Sequence, residues 1–143
     1  MITAFNGEFR WLSNFARVPI EIGGIVFRSV EHAYMSEKSD DEAWKTFCQR
    51  VDRPGDVKKA SRKIKLSPDW EQRKVEVMRK CLEQKFNQEP FRSLLLATGN
   101  TKIMEGNHWG DTFWGVDRRT LTGNNMLGKL IMEIRTRLNE NRR

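Results

Sequence analysis

The sequence predicts an α+β protein, predominantly helical, forming a single domain over residues 1–143 with a short N-terminal β-hairpin. Three observations carry this. A chain of 143 residues is long enough for one domain with a sizeable core and short for two. Gly23-Gly24 stands between two short β-branched runs, Val18 to Ile22 and Ile25 to Phe27, which is a two-residue hairpin signal. Beyond Ser39, apolar residues recur at helical spacing, most clearly over 67–86 and 124–138.

Taken in order, the first segment, Ile2 to Phe15, carries five large apolar residues with Gly7 and Asn14 as punctuation, and reads as a short strand followed by an irregular loop. The hairpin then delivers the chain to Ser29, a favourable helix N-cap. Glu31 follows in the first turn, where the helix dipole favours a carboxylate. Ser39-Asp40-Asp41-Glu42 opens a second helix with Ala43, Trp44, Phe47 and Val51 at core spacing. Pro54 suits a first helical position, and Val57 to Ile64 reads as a short basic helix. Ser67-Pro68 opens the longest helix, with Trp70, Lys74, Val77, Met78, Cys81, Leu82, Lys85 and Phe86 along one face. Pro90 to Thr98 is a further helix closed by Gly99-Asn100. Ile103 to Glu105 is a strand fragment, and residues 106–115 form a loop unusually rich in Gly, Trp and Asp. A final helix starts near Asn124 or Asn125, with Leu127, Leu130, Ile131, Ile134 and Leu138 on one stripe.

Composition narrows the function classes. Lys plus Arg exceed Asp plus Glu by 26 to 19, giving a net charge of +7 and an attraction for polyanions or phosphorylated ligands. The two cysteines and two histidines have no metal-ligand spacing, so no metal and no cofactor is expected. No apolar run has membrane-spanning length, and the N-terminus has no basic leader or apolar h-region, so a cytoplasmic, reducing setting is expected. The oligomeric state is open.

Three polar clusters are candidates for chemistry. On a continuous helix from Ser29, Glu31 and Lys38 are two turns apart at nearly the same azimuth, with Tyr34 and Met35 between them, so an acid and an amine face one pocket. The same spacing also describes ordinary solvated helix charges. Asn14 is either a turn residue or a ligand-facing amide in an aromatic setting. Trp109 and Trp114, by residue type alone, read as core residues. Near Gly123, the exposed N–H groups of a helix start, beside a glycine that permits close approach, form either a phosphate site or a plain loop-to-helix junction.

Together these residues resemble one family. Leu12-Ser13-Asn14-Phe15, the Ser29, Glu31, Tyr34 and Lys38 spacing, Trp70, Lys85-Phe86, Leu95 with Thr98-Gly99, Glu105, Asp111 with Trp114-Gly115, and Gly123, Asn125, Leu127 and Gly128 keep the order and spacing of the NADAR, or YbiA-like, family of N-glycosidases, from Phe5 to about Leu138. The chain departs from the family at Met35-Ser36 and at Val116-Asp117.

The resemblance implies hydrolysis of a ribosyl C–N bond. The implied substrate is a phosphorylated ribosylamino-pyrimidine of riboflavin synthesis or ADP-ribose attached to guanine in nucleic acid. It implies catalytic roles for Glu31, Lys38 and Asp111, with carboxylates as acid, base or charge stabiliser and the amine as a Schiff-base nucleophile. Asn14, Tyr34, Trp114, Gly123 and Asn125 become the implied substrate contacts. The rival reading is a non-catalytic module that binds ADP-ribose or nucleic acid, which has no need of a converging acid and amine.

Overall fold

A computed structural model describes residues 1–142, and it has the expected α+β class. The chain falls into two compact units. One comprises Asn14–Lys85, the other Met1–Ser13 with Phe86–Arg143.

In the first unit the expected hairpin is present: β1 (Arg17–Ile22) pairs antiparallel with β2 (Ile25–Ser29), with Ile22 opposite Ile25 across the Gly23-Gly24 turn. Both turn glycines have positive φ, 57° and 83°, which side-chain-bearing residues rarely adopt. The register shifts between Arg17 and Ile20, where Pro19 has no N–H to give to a ladder. The hairpin feeds directly into α1 (Val30–Ser36), every residue of which is buried. Ser29 caps it by accepting the His32 N–H at 3.2 Å, and the carbonyl of Asn14 accepts the Glu31 N–H at 3.0 Å. Two of the free donors of that helix end are thereby satisfied.

Helix α1 ends sooner than the Glu31–Lys38 spacing requires. Glu37 is its C-cap, and Lys38 lies in the turn beyond. Beyond that end, the carbonyl of Lys38 accepts the N–H of Ser67 at 2.8 Å, a partner distant in sequence.

Helix α2 (Glu42–Arg50) is capped by Asp41, whose side chain accepts the Ala43 N–H at 3.0 Å. It buries Trp44 and Cys48, whereas Ala43 and Phe47 are exposed, so the buried stripe is narrower than the apolar spacing implies. Helix α3 (Pro54–Ala60) starts with Pro54 as expected and passes into a 3-10 turn, Ser61–Lys63. Helix α4 (Trp70–Phe86) buries Trp70, Met78, Cys81, Leu82, Lys85 and Phe86 along the expected face.

In the second unit, the N-terminal strand reduces to a single parallel bridge between Ile2 and Ile103, followed by a 3-10 helix over Gly7–Leu12. Helix α5 (Phe91–Ala97) closes at Gly99 with φ 61°. Short strands β3 (Gly106–Asn107) and β4 (Val116–Asp117) pair in parallel, and α6 (Met126–Asn141) completes the unit. A Cβ on Gly115 would collide with the Glu105 carbonyl oxygen, and one on Gly128 with the Ile103 carbonyl oxygen. Only glycine lets these backbones approach so closely. Among the described residues, no helix is long and apolar enough to cross a membrane.

Candidate functional site

The first unit brings together Asn14, Glu31, Tyr34 and Lys38. Glu31 is buried on α1. The Nζ of Lys38 lies 5.8 Å from the centre of the Tyr34 ring, and that ring packs against Trp70 with centroids 5.1 Å apart. Trp70 is the first residue of α4, and its N–H bonds the carbonyl of Ser67, the residue that also holds Lys38. Both the main chain and the side-chain tip of Lys38 are therefore located by one short segment.

The Lys38 amine titrates below its ordinary value. Burial is the largest cause, because removing the ammonium from water disfavours the charged form. Glu31 opposes the shift, Lys58 reinforces it, Glu71 opposes it and Lys74 reinforces it. Burial thus biases the amine toward its neutral, nucleophilic form, and the charge of Glu31 acts the other way.

Two buried side-chain atoms have no hydrogen-bond partner among the described residues, Asn14 Oδ1 and Ser67 Oγ. Each belongs to a residue joined by a main-chain hydrogen bond to one of two candidate residues, Asn14 to Glu31 and Ser67 to Lys38. Asn14 turns its amide nitrogen toward the Met78 sulfur at 3.6 Å. Buried polar atoms without partners are rare in native proteins, and each calls for an explanation. A groove of about 470 Å³ elsewhere in this unit, between the hairpin tip and α4, contains none of these residues.

Sequence reasoning missed three contributors. Lys58 was visible only as part of a dispersed basic run and Lys74 only as a member of a core-facing stripe, yet both bear on the Lys38 amine. Ser67 was visible only as a helix opener, and nothing local in the sequence pairs it with Lys38.

The second unit holds Asp111, Trp114, Gly123 and Asn125. Asp111 Oδ1 accepts the N–H groups of Phe113 at 3.2 Å and Trp114 at 2.9 Å, capping the turn that carries the half-buried Trp114. The Trp114 ring meets Phe113 edge-on at 4.9 Å. Asn125 is buried, donating to the Ile103 carbonyl at 3.0 Å and accepting the Glu105 N–H at 3.0 Å. Its amide thus joins the start of α6 to residues 103–105.

Of the two readings of Gly123 and the start of α6, a phosphate site or a plain loop-to-helix junction, the backbone fits the junction. The N–H groups of Asn124, Asn125, Met126 and Leu127 bond the carbonyls of Thr112, Gly115, Phe113 and Trp114. Donors already engaged by the 112–115 loop are not available to an anion. The close approach at Gly123, φ 149°, is made by the chain's own Gly115 and Val116 backbone.

No group of three or more metal-ligating side chains occurs among the described residues. Cys48 and Cys81 are free and buried, and burial pushes both thiols up to about 12, so neither is a ready nucleophile.

Fold, hairpin-to-helix junction and motif spacing converge on one class, and the NADAR domain profile matches residues 4–139. The chain belongs to the NADAR family. It is 38% identical to the protein named N-glycosidase YbiA of Escherichia coli strain K12 over 135 residues, 92% of this chain and 81% of that one. The NMR structure of E. coli YbiA superposes with a TM-score of 0.85 at 34% identity, covering 99% of this chain and 84% of that chain. A protein of Vibrio vulnificus named for riboflavin biosynthesis is 35% identical over 133 residues, 91% of this chain and 36% of that longer protein.

Proposed function

We propose that this chain is an N-glycosidase that hydrolyses the C–N bond between a ribose and a nitrogenous base or amine, with Lys38 as nucleophile and Glu31 as the proton-transfer group. The observation that carries this is the Lys38 amine, biased toward neutrality by burial, set over the Tyr34 ring, and within reach of the charge of the buried Glu31. In the proposed sequence Lys38 Nζ attacks the anomeric carbon. As the new C–N bond forms, Lys38 Nζ gives a proton to Glu31, which delivers it to the departing nitrogen as its bond to C1 breaks; the ribose C1–O ring bond then opens to leave a Schiff base on Lys38, and water hydrolyses that to free ribose and the amine. Asn14 Oδ1 is proposed to accept a hydrogen bond from a ribose hydroxyl, and Tyr34 to border the sugar.

The names of the relatives support the reaction class: several are called N-glycosidases, and others are named for riboflavin biosynthesis. Within that class the proposed substrate is a phosphorylated ribosylamino-pyrimidine or ADP-ribose on guanine, both of which place the scissile bond near phosphate and suit a chain of net charge +7. Because the NADAR profile takes in residues of both units, the whole of 1–143 is proposed as one functional domain.

The test is release of base or amine, followed by mass spectrometry, from a ribosylamino-pyrimidine phosphate and from an ADP-ribosyl-guanine oligonucleotide. Native protein is expected to turn over one of them, and Lys38→Ala and Glu31→Gln, checked for folding, are expected to lose that turnover. Borohydride is expected to trap a ribosyl adduct on native protein and none on Lys38→Ala. Absence of turnover on both substrates by folded native protein would overturn the proposal.

A further inference from the structure

The groove of about 470 Å³ in the first unit opens between the tip of the hairpin and the face of α4 that carries Arg73, Val77, Lys80 and Gln84. That volume is in the range that takes a small molecule. Its walls are fastened by the chain itself. The Gln84 side-chain amide accepts the Glu21 N–H and donates to the Glu21 carbonyl, both at 2.8 Å, which pins the outer edge of β1 to α4. Three turns earlier on α4, Arg73 reaches the Glu37 carboxylate at 3.5 Å, and Lys45 reaches the same carboxylate at 3.3 Å.

Ile22, Val77 and Cys81 give the groove an apolar lining. Most of the charged groups around it are satisfied within the chain, Glu37 as above and Glu76 by Arg79. Two are not. The Glu21 carboxylate and the Lys80 ammonium are exposed, and neither forms an ion pair among the described residues. Gln84 holds Glu21, and Lys80 lies one turn before Gln84, about 6 Å along the helix axis. A carboxylate and an ammonium are thus offered from the two walls, about one helical turn apart, beside an apolar lining. The lining carries three carboxylates, Glu21, Glu37 and Glu76, against two cations, Arg73 and Lys80, so this groove is net acidic on a chain of net charge +7. That balance disfavours a phosphorylated ligand here.

We propose that this groove binds a free amino acid with a large apolar side chain, its α-ammonium paired with Glu21, its carboxylate with Lys80, and its side chain over Ile22, Val77 and Cys81. Each partner then brings one negative and one positive group, and neither a simple amine nor a simple acid satisfies both walls. The groove contains none of Asn14, Glu31, Tyr34 or Lys38, so the proposal does not depend on the glycosidase reading.

The test is an amide NMR titration of the full chain with L-phenylalanine to about 10 mM, a concentration suited to a ligand of so few atoms. Saturating shifts are expected to concentrate at Ile22, Gly23, Val77 and Cys81. Hydrocinnamate, which lacks the ammonium, and phenethylamine, which lacks the carboxylate, are each expected to bind about fivefold more weakly, the scale of one exposed ion pair. Glu21→Gln and Lys80→Met are expected to cause a similar loss for L-phenylalanine. Glu21→Gln is expected to leave hydrocinnamate binding unchanged, and Lys80→Met to leave phenethylamine binding unchanged. Absence of saturating shifts at those amides, shifts centred elsewhere, or equal binding of the three ligands each overturns the proposal. Displacement of L-phenylalanine by inorganic phosphate does so too, because it would make the groove an anion site. Both substituted side chains are exposed, so the variants are expected to fold, and circular dichroism checks this.

Discussion

The carbonyl of Lys38 accepts the N–H of Ser67 across 28 intervening residues, at 2.8 Å. That bond anchors the turn beyond α1 that carries the amine, and ties it to the segment whose Trp70 packs on Tyr34. The amine is held from its main chain and from the ring below its tip, so its position is a property of the tertiary structure.

Removing a neighbour of Lys38 is expected to move the pH–rate profile in a direction set by that neighbour's charge. Lys58 pushes the Lys38 pKa down, so in Lys58→Ala that pKa rises and the rising limb of kcat/KM moves to higher pH. Lys74→Ala is expected to move it the same way by less, and Glu71→Gln to move it to lower pH. Steady-state rates across pH check this, and an unmoved limb in Lys58→Ala removes Lys38 from the titrating step. For Glu31→Gln the expected loss is about 10²- to 10⁴-fold in turnover, the usual range for a group transferring a proton in the transition state.

His32 makes stability pH-dependent. Its Nε2–H donates to the Val51 carbonyl at 2.9 Å, and its Nδ1 lies 2.6 Å from the Ser29 hydroxyl, which locks a neutral ring under the cap of α1. Burial holds its pKa below 6.5, with the charges of Arg17 and Arg28 adding to that effect. As pH falls through about 6.5, the unfolded chain gains a proton that the folded chain refuses, so stability drops until the lowered folded pKa is passed. Thermal unfolding between pH 7.5 and roughly 5 is expected to show this slope, and His32→Gln to flatten it.

Lys85 acts in the opposite range. It is fully buried on α4, and desolvation lowers its pKa to about 7 from 10.5. Between those values the unfolded chain holds a proton that the folded chain has lost, so Lys85 contributes a gain in stability as pH rises from about 7. Urea unfolding at pH 7 and 9 is expected to show that gain in native protein and a smaller one in Lys85→Met, with the variant the more stable at pH 7.

Asn125→Ala is expected to cost about 1–3 kcal/mol of stability, because the substitution leaves the Glu105 N–H and the Ile103 carbonyl without their side-chain partner. Chemical denaturation measures it. An Asn125 that served substrate alone would leave the folded state unchanged and raise KM instead.

Local sequence determined the hairpin, the caps and most of the helices. Gly23-Gly24 needs positive φ, Ser29 and Asp41 offer side-chain oxygens to free helix N–H groups, and α4 and α6 carry long apolar stripes, all properties of neighbours in sequence. Family membership was legible as well, because many polar and glycine positions kept one order and spacing.

What only the tertiary structure decided is how each candidate is used. The seven-residue interval from Glu31 to Lys38 predicted a shared helix face, but the helix ends before Lys38, and a turn anchored by a long-range bond to Ser67 places the amine. Gly123 and the start of α6 had the look of an anion site, yet the 112–115 carbonyls took the N–H groups. Asn125 joined residues 103–105, and Trp109, a core residue by its type, faced solvent instead. Periodicity and capping act over one turn of chain, whereas the partner of a backbone donor, the burial of an amine and the exposure of an indole depend on segments that meet only when the chain folds.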